Sequence, residues 1–371
     1  MEREINQDLI DSLRLSLVAD VGPITRRALL DRFGTPAAVF AAAPDEIRAV
    51  KGVGPKLLSR ILAARHEVDP QREIDLCREH DIQILTDTDP GYPRALAEIH
   101  DPPSTLFVRG RILPSDATAV AIVGTRHATS YGLRQAERLA GSLARAGVTV
   151  VSGLARGVDG AAHRGALAAG GRTIAVLGSG LLRIFPPEHV GLADEIAAAG
   201  AVVSELPPEF EPMGGNFPQR NRIISGLSLG TLIVEAPERS GALITARLAM
   251  EQGRDVFAVP GPVDSRPSRG CHRLLRDGAT LVESADDVLE HLGFLVEPAA
   301  QEDGTEIHHP AELMLTDVER QVLNAIDREA TSIDELVCKT QLTVPQVLST
   351  VSVLEMRRLV RRVSGSKVAR N

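Results

Sequence analysis

Five loops rich in glycine, serine or threonine stand directly behind short apolar runs. Gly124-Thr125-Arg126 follows Ala119–Val123, with Ser130 and Gly132 just beyond. Ser152-Gly153 follows the run 148–151 and leads through Gly157 to Asp159. Gly178-Ser179-Gly180 follows 173–177, Ser204-Glu205 follows 201–203, and Ser240-Gly241 follows 231–235 after a short spacer. Small residues let backbone N–H groups approach an anion, and a helix that starts at such a loop aims its positive end there. One loop of this kind is weak evidence. Five, with Arg126 among them, point to a phosphate-bearing ligand.

The stretch Asn216-Phe217-Pro218-Gln219-Arg220-Asn221-Arg222 is sharper. Pro218 suits a helix start, and Ile223, Ile224 and Leu227 give that helix a buried face, which places Arg220 and Arg222 in its first turn beside Asn221. Cations there oppose the macrodipole at about 0.3–1 kcal/mol each, a cost that a bound anion would offset. The two lie about 200° apart around the axis, so one of them faces the ligand. The competing reading is an internal ion pair with a carboxylate such as Glu205 or Glu235.

Other chemistry is poorly supported. Asp159 and His163 share a helix face at i and i+4, the spacing of an acid–base or metal pair, but no third metal ligand lies near in sequence. The bland alternative is an N-cap aspartate orienting a helix histidine. There is no G-x-x-x-x-G-K-[ST] phosphate loop, no G-x-G-x-x-G behind a strand and no G-x-S-x-G elbow. No catalytic set, metal site or cofactor is therefore expected.

These loops require a scaffold. Between 118 and 293, apolar runs alternate with helical patterns near 131–146, 158–169, 188–199, 219–228, 242–252 and 269–276, and Thr105–Val108 reads as one more short strand. That alternation predicts an α/β fold, a Rossmann-like doubly wound parallel sheet, whose ligands bind at the carboxyl ends of the strands. Upstream, Val21-Gly22-Pro23 and Gly52-Val53-Gly54-Pro55 each turn the chain into a helix, which resembles a helix–hairpin–helix unit. Downstream, 294–312 is acidic and without period, a linker. Thr316 and Glu319 then form a capping-box pattern, and helices 317–327, 332–339 and 344–356 precede two short strands around Ser364-Gly365, a winged-helix shape. Arg357, Arg358, Arg361, Arg362, Lys367 and Arg370 make its tip basic. The expected domains are 1–90 (helical, helix–hairpin–helix or SAM-like), 100–295 (Rossmann-like), a linker at 296–312 and 313–371 (winged helix).

Composition sets bounds. With 371 residues and 43% apolar content, several packed cores are expected. Aromatics are only 3%, which counts against a site built of stacked rings. The formal charge of −8 means that a nucleic acid would have to be met by a local basic patch. Three scattered cysteines argue against a zinc site or disulfide framework. The charged first residues and the lack of a long apolar run lead to the expectation of a cytoplasmic protein without membrane insertion.

The segments GTRHATSYG, SGLARGVDGAAHRGAL, TIAVLGSG, FPQRNRIISGLS, VEAPERSGALITARLAMEQGRDVFAVPG and GCHRLLRDGA run in order through 119–283. Together they resemble the DNA-processing protein A (DprA/Smf) family. The resemblance implies a Rossmann-like core that binds single-stranded DNA and forms a homodimer, and it does not imply a catalysed reaction. It implies protection of incoming DNA and loading of the recombinase RecA during natural transformation, that is, a role in competence and homologous recombination. Carried over by motif, the DNA contacts fall on Arg126 and on Arg220, Asn221 and Arg222. Two departures stand out: Phe185-Pro186 is followed by His189 where the family has Tyr-Pro and then Asn, and His272 replaces an Asn in the closing motif. The alternative is a Rossmann-like enzyme or sensor of a small nucleotide, but the P-G-G-x-G-T-x-x-E loop of the phosphoribohydrolase relatives is absent.

Overall fold

The computed structural model describes residues 7–293, 299–300, 306–307, 316–326, 331–356, 359–364 and 367–370. Its centre is a nine-stranded sheet of β1 (Ile82–Thr86), β2 (Thr105–Gly110), β3 (Ala119–Val123), β4 (Thr149–Ser152), β5 (Thr173–Val176), β6 (Ala201–Ser204), β7 (Gly230–Ile233), β8 (Asp255–Ala258) and β9 (Thr280–Leu281). The spatial order is β1-β2-β6-β5-β4-β3-β7-β8-β9. From β6 to β9 every neighbouring pair is parallel, whereas β2 runs antiparallel to both β6 and β1. Chain order reverses between β3 and β7. A crevice opens at the carboxyl ends of two strands that diverge in this way.

The parallel strands are apolar on both faces because helices cover both. Ala119, Ala121, Ile174, Val203 and Ile233 face one core with Ile223, Ile224 and Ala246. Val120, Ile122, Val150 and Leu232 face the other, against Ala136, Leu139, Leu143, Ala161 and Ala162. The helices Ser130–Arg145 and Val158–Ala168 over the second core meet closely through small residues: a Cβ on Gly165 would lie 2.3 Å from the Glu137 carbonyl oxygen.

Two strands were not anticipated. Ile82–Thr86, inside the stretch assigned to the helical domain, forms the edge of the sheet, and Thr280–Leu281 closes the other edge. The N-terminal helices reach this sheet too. Leu13, Ile74 and Cys77 pack with Phe107, Leu177, Leu192 and Ile196 in a third core. The remaining N-terminal helices have a core of their own around Leu29, Val39, Ile47 and Ile61. There the two Gly-Pro turns share one geometry: Gly22 (φ −82°, ψ 173°) and Gly54 (φ −83°, ψ 173°) each precede a helix beginning with proline.

Within the expected linker, Ala299–Ala300 and Glu306–Ile307 form a short antiparallel pair, and 294–298, 301–305 and 308–315 lie outside the described residues. The last helices, Asp317–Ala325, Ile333–Thr340 and Val344–Met356, pack with a three-stranded sheet around Val322, Leu336, Val347, Val351 and Val368. Of the basic tip, Arg361 and Lys367 are exposed. Arg357, Arg358 and the side chains of Arg362 and Arg370 lie outside the described residues. No helix among the described residues is long and apolar enough to cross a membrane.

Candidate nucleic-acid interface

The loops behind β3, β4, β5 and β7 meet at the carboxyl edge, as the strand order requires. Most of their polar groups serve the protein itself. Thr129 caps the helix Ser130–Arg145 by accepting from the Gly132 N–H at 3.2 Å. Its hydroxyl donates to Glu235 Oε1 at 2.6 Å, and its N–H donates to Glu235 Oε2 at 2.9 Å. Gly132 leaves room for that carboxylate, since a Cβ would lie 2.3 Å from Glu235 Oε2. The positive end of this helix is thus occupied by an internal carboxylate, an arrangement the macrodipole favours.

The glycine loop behind β4 is occupied in the same way. Asp159 is buried beneath it. Burial pushes its carboxyl pKa up, while Arg220 and the backbone N–H groups of Ala155, Gly124 and Gly153 pull the other way. Of the N–H groups expected to serve a phosphate, those of Gly124 and Gly153 thus favour the Asp159 carboxylate. Gly157 permits the approach: its φ is +74°, and a Cβ there would lie 2.3 Å from the Thr125 carbonyl oxygen. Ser152 is fully buried and donates to the Ile122 carbonyl at 2.6 Å.

The expectation for the arginines behind β6 changes. The helix runs Asn216–Gly226, so Pro218 is its third residue and Arg220 lies beyond the first turn. Proline is tolerated anywhere in a first turn, because those N–H groups have no partner within the helix. Arg220 and Arg222 are each only 7% exposed. Arg220 donates to the carbonyls of Gly153, at 2.7 Å, and Val176, tying the ends of β4 and β5 together. Burial pushes its pKa down to about 10; Asp159 opposes the shift and Arg126 adds to it. Arg222 pairs with Glu205 at 2.6 Å and Asp101 at 3.0 Å. Burial works against its cation, but Glu205 and Asp101 hold its pKa above the usual value. Arg222 therefore forms the internal ion pair that was the competing reading, and the Arg220 guanidinium bonds backbone carbonyls beneath the loops. Asn221 is buried and donates to the Gly241 carbonyl at 3.4 Å. Ser240 caps the next helix through the Ala242 N–H, while Gly241 is exposed at its start.

His163 is another correction. Its Nδ1 meets Thr173 Oγ1 at 2.7 Å, not Asp159, and the capping residue of its helix is Gly157. Thr173 already donates to the Val150 carbonyl, so it accepts from His163, which places the proton on Nδ1. Burial, with His189, Arg220 and Arg164, lowers the His163 pKa to about 3, so the ring is neutral. Among the described residues, no group of three or more His, Cys, Asp or Glu is placed to hold a metal.

Of the residues anticipated, Arg126, Ser130 and Gly241 are exposed on this edge. The Arg126 guanidinium lies over the Phe217 ring, 5.4 Å from its centroid, and Phe217 meets Phe185 at 5.5 Å with a 47° tilt. Both rings are half-buried. Few aromatics overall thus do not prevent two of them from meeting at the rim. Phe217 belongs to the stretch that drew attention for its arginines, and its position two residues into a helix facing the crevice was its only signal. Arg239, Arg266 and Arg269 are also exposed on loops or helix starts behind β7 and β8. Among the described residues, none of these three nor Arg126 is paired with a carboxylate, although Glu238 and Asp264 share the rim.

The chain is similar to known proteins along most of its length. Residues 83–293 match the family described as DNA recombination-mediator protein A, residues 306–366 the DprA winged helix domain, and residues 12–67 a SAM-like helix-hairpin-helix tandem. The chain is 36% identical to Protein Smf of Synechocystis sp. across 96% of its own length and 98% of that protein. It is similar to the X-ray structure of DNA processing protein A from Streptococcus pneumoniae, with TM-score 0.67 and 35% identity over 78% of this chain and 98% of that one. It is also similar to DNA processing protein A from Helicobacter pylori, a structure described as showing that protein's single-stranded DNA binding mode, with TM-score 0.52 and 32% identity over 57% of this chain and 95% of that one. The chain belongs to the DNA recombination-mediator protein A family.

Proposed function

We propose that this chain binds single-stranded DNA across the carboxyl edge of its sheet, protects it and hands it to the recombinase RecA during natural transformation. It acts as a cytoplasmic homodimer, without metal, cofactor or turnover. The observation that carries this reading is the exposed Arg126 guanidinium lying on the half-buried Phe217 ring, on an edge where Arg156 and Arg183 are paired with glutamates but Arg126, Arg239, Arg266 and Arg269 have no carboxylate partner among the described residues. A cation beside an aromatic face is how sequence-tolerant single-strand sites hold phosphate and base together. The described similarity to a single-strand-binding relative supports the same reading.

The small-nucleotide alternative loses ground on one point. A mononucleotide site of this fold relies on free N–H groups at the glycine loop, and here Asp159 draws those of Gly124 and Gly153. A compact phosphate entering there would meet a buried carboxylate. A polymer lying over the rim would not.

In this reading the ligand-facing residues are Arg126 and Phe217, with Ser130, Ser240 and Gly241 beside them. Gly124, Gly132, Ser152, Gly153, Gly157, Arg220, Asn221 and Arg222 support them from below. The test is titration of labelled oligothymidylate with wild type, Arg126→Ala and Phe217→Ala, alongside a RecA-loading assay on the same strand. Weakened binding and loading in both variants, with unchanged melting, is the expected outcome. Wild-type affinity in both would remove the edge from the site.

A further inference from the structure

A second cationic surface lies away from the carboxyl edge. The helices Ser130–Arg145 and Val158–Ala168 enclose on their outer side a groove of about 720 Å³. Arg134, Arg138 and Arg145 line it from the first helix and Arg164 from the second, against one acidic group, Glu137. In a chain with 49 acidic and 41 basic residues, four arginines to one carboxylate is a local reversal of sign.

The first three arginines fall on one helix face, since steps of four and seven residues return to nearly the same angle. From Arg134 to Arg145 they span about 16 Å at 1.5 Å per residue. Neutralisation is slight. Arg164 stands 4.0 Å from Glu137, Arg138 donates to Gln135 and to the Glu283 carbonyl, and Arg145 donates to Ser142. The macrodipole favours Arg145 at the helix C-terminus, but Arg134 and Arg138 gain nothing from it, and like charges at i and i+4 cost helix stability. A polyanion offsets that cost. The floor is smooth because Gly141 and Gly165 let the two helices touch: a Cβ on Gly141 would lie 3.1 Å from the Gly165 carbonyl oxygen. Arg134 stands one turn into the helix that begins just behind the Arg126 loop, so the row of cations starts beside the edge and leads away from it.

We propose that this groove is a second phosphate track, which takes the sugar-phosphate backbone of the same single strand after it leaves the Arg126 edge. The proposal rests on the single-strand reading of that edge. The track carries no aromatic ring, so it holds backbone alone and is indifferent to base identity.

The experiment uses the full chain, with oligothymidylates of about 4 and about 40 nucleotides, which bracket the usual site sizes of single-strand binders. The triple variant Arg134→Gln, Arg138→Gln, Arg145→Gln should flatten the salt dependence of the long oligomer by about two units of log–log slope, at about 0.7 per phosphate. It should leave the short oligomer unchanged. Glu137→Gln should shift the long oligomer the opposite way, to tighter binding, which a misfolded protein would not do. An unchanged long-oligomer slope in the triple variant, or an effect confined to duplex DNA, overturns the track. If Arg126→Ala weakens both lengths while the triple variant weakens neither, the edge stands and the groove falls. If wild type binds neither length, both readings fall.

Discussion

Arg126 and Arg220 both read in sequence as anion-facing arginines, one in the loop behind an apolar run and the other near a helix start, yet they should respond oppositely to truncation. Arg126 is exposed with its guanidinium over the Phe217 ring, so Arg126→Ala should flatten the single-strand salt slope by about 0.7 and leave the melting temperature unchanged. Arg220→Ala removes a buried cation that ties Gly153 to Val176 and balances Asp159, so it should lower the melting temperature first. A stable Arg220→Ala protein with a flattened slope would restore Arg220 to the ligand. Phe217→Ala should cost about 1–3 kcal/mol of binding if a base stacks there. What could be read in sequence at this scale was position along the sheet edge; burial was not, because charge is visible in a sequence and a carbonyl partner 44 or 67 residues away is not.

His163 adds a pH dependence. Its pKa falls from 6.5 to about 3 on folding, so only the unfolded chain takes up the proton in that interval. The stabilisation that the neutral ring contributes is complete above about 6.5 and is lost as pH falls toward about 3, with a slope of at most about 1.4 kcal/mol per pH unit. Denaturant unfolding across that range should show this loss, and His163→Gln should reduce it. An identical pH profile in the variant would place the acid sensitivity elsewhere.

At the scale of elements, the Gly157 turn decides whether the loops behind β3 and β4 can meet. Gly157→Ala combines a φ of +74° with a Cβ 2.3 Å from the Thr125 carbonyl oxygen, so a loss of about 1–3 kcal/mol in stability is expected, with weaker DNA binding as the Arg126 loop shifts. Gly241→Ala meets nothing within 4 Å and should be neutral for stability. Equal melting temperatures for the two variants would refute this account of the turn. The parallel strands were legible because both faces are apolar, which leaves unbroken runs such as Ala119–Val123. The strands β1 and β9 were not: the first sits between a helix and a turn-rich segment, and the second has only two residues. The start of the arginine helix was misplaced because proline permits any of the first turn's positions.

At the scale of the molecule, the N-terminal helices and the sheet share one core. Leu13, Ile74 and Cys77 cover the face formed by Phe107, Leu177, Leu192 and Ile196, and β1 pairs with β2 along five residues. Cutting at 100, the expected start of the Rossmann-like domain, would remove β1, expose the paired edge of β2 and strip that face of its cover. An apolar face and an open edge strand lead to aggregation. A fragment ending at Gly293 keeps all of these contacts, while the winged-helix residues have a separate core around Val322, Leu336 and Val351. From the acidic, unpatterned composition of 294–312 we expect limited proteolysis to cut there first, and the fragment ending at Gly293 to melt cooperatively and keep most single-strand affinity. A fragment of 100–293 should be insoluble or non-cooperative. If it instead folds and binds like the longer fragment, the helical layer is an accessory to the sheet rather than part of it. If the longer fragment folds but loses the DNA, the winged-helix residues hold more of the strand than the edge does.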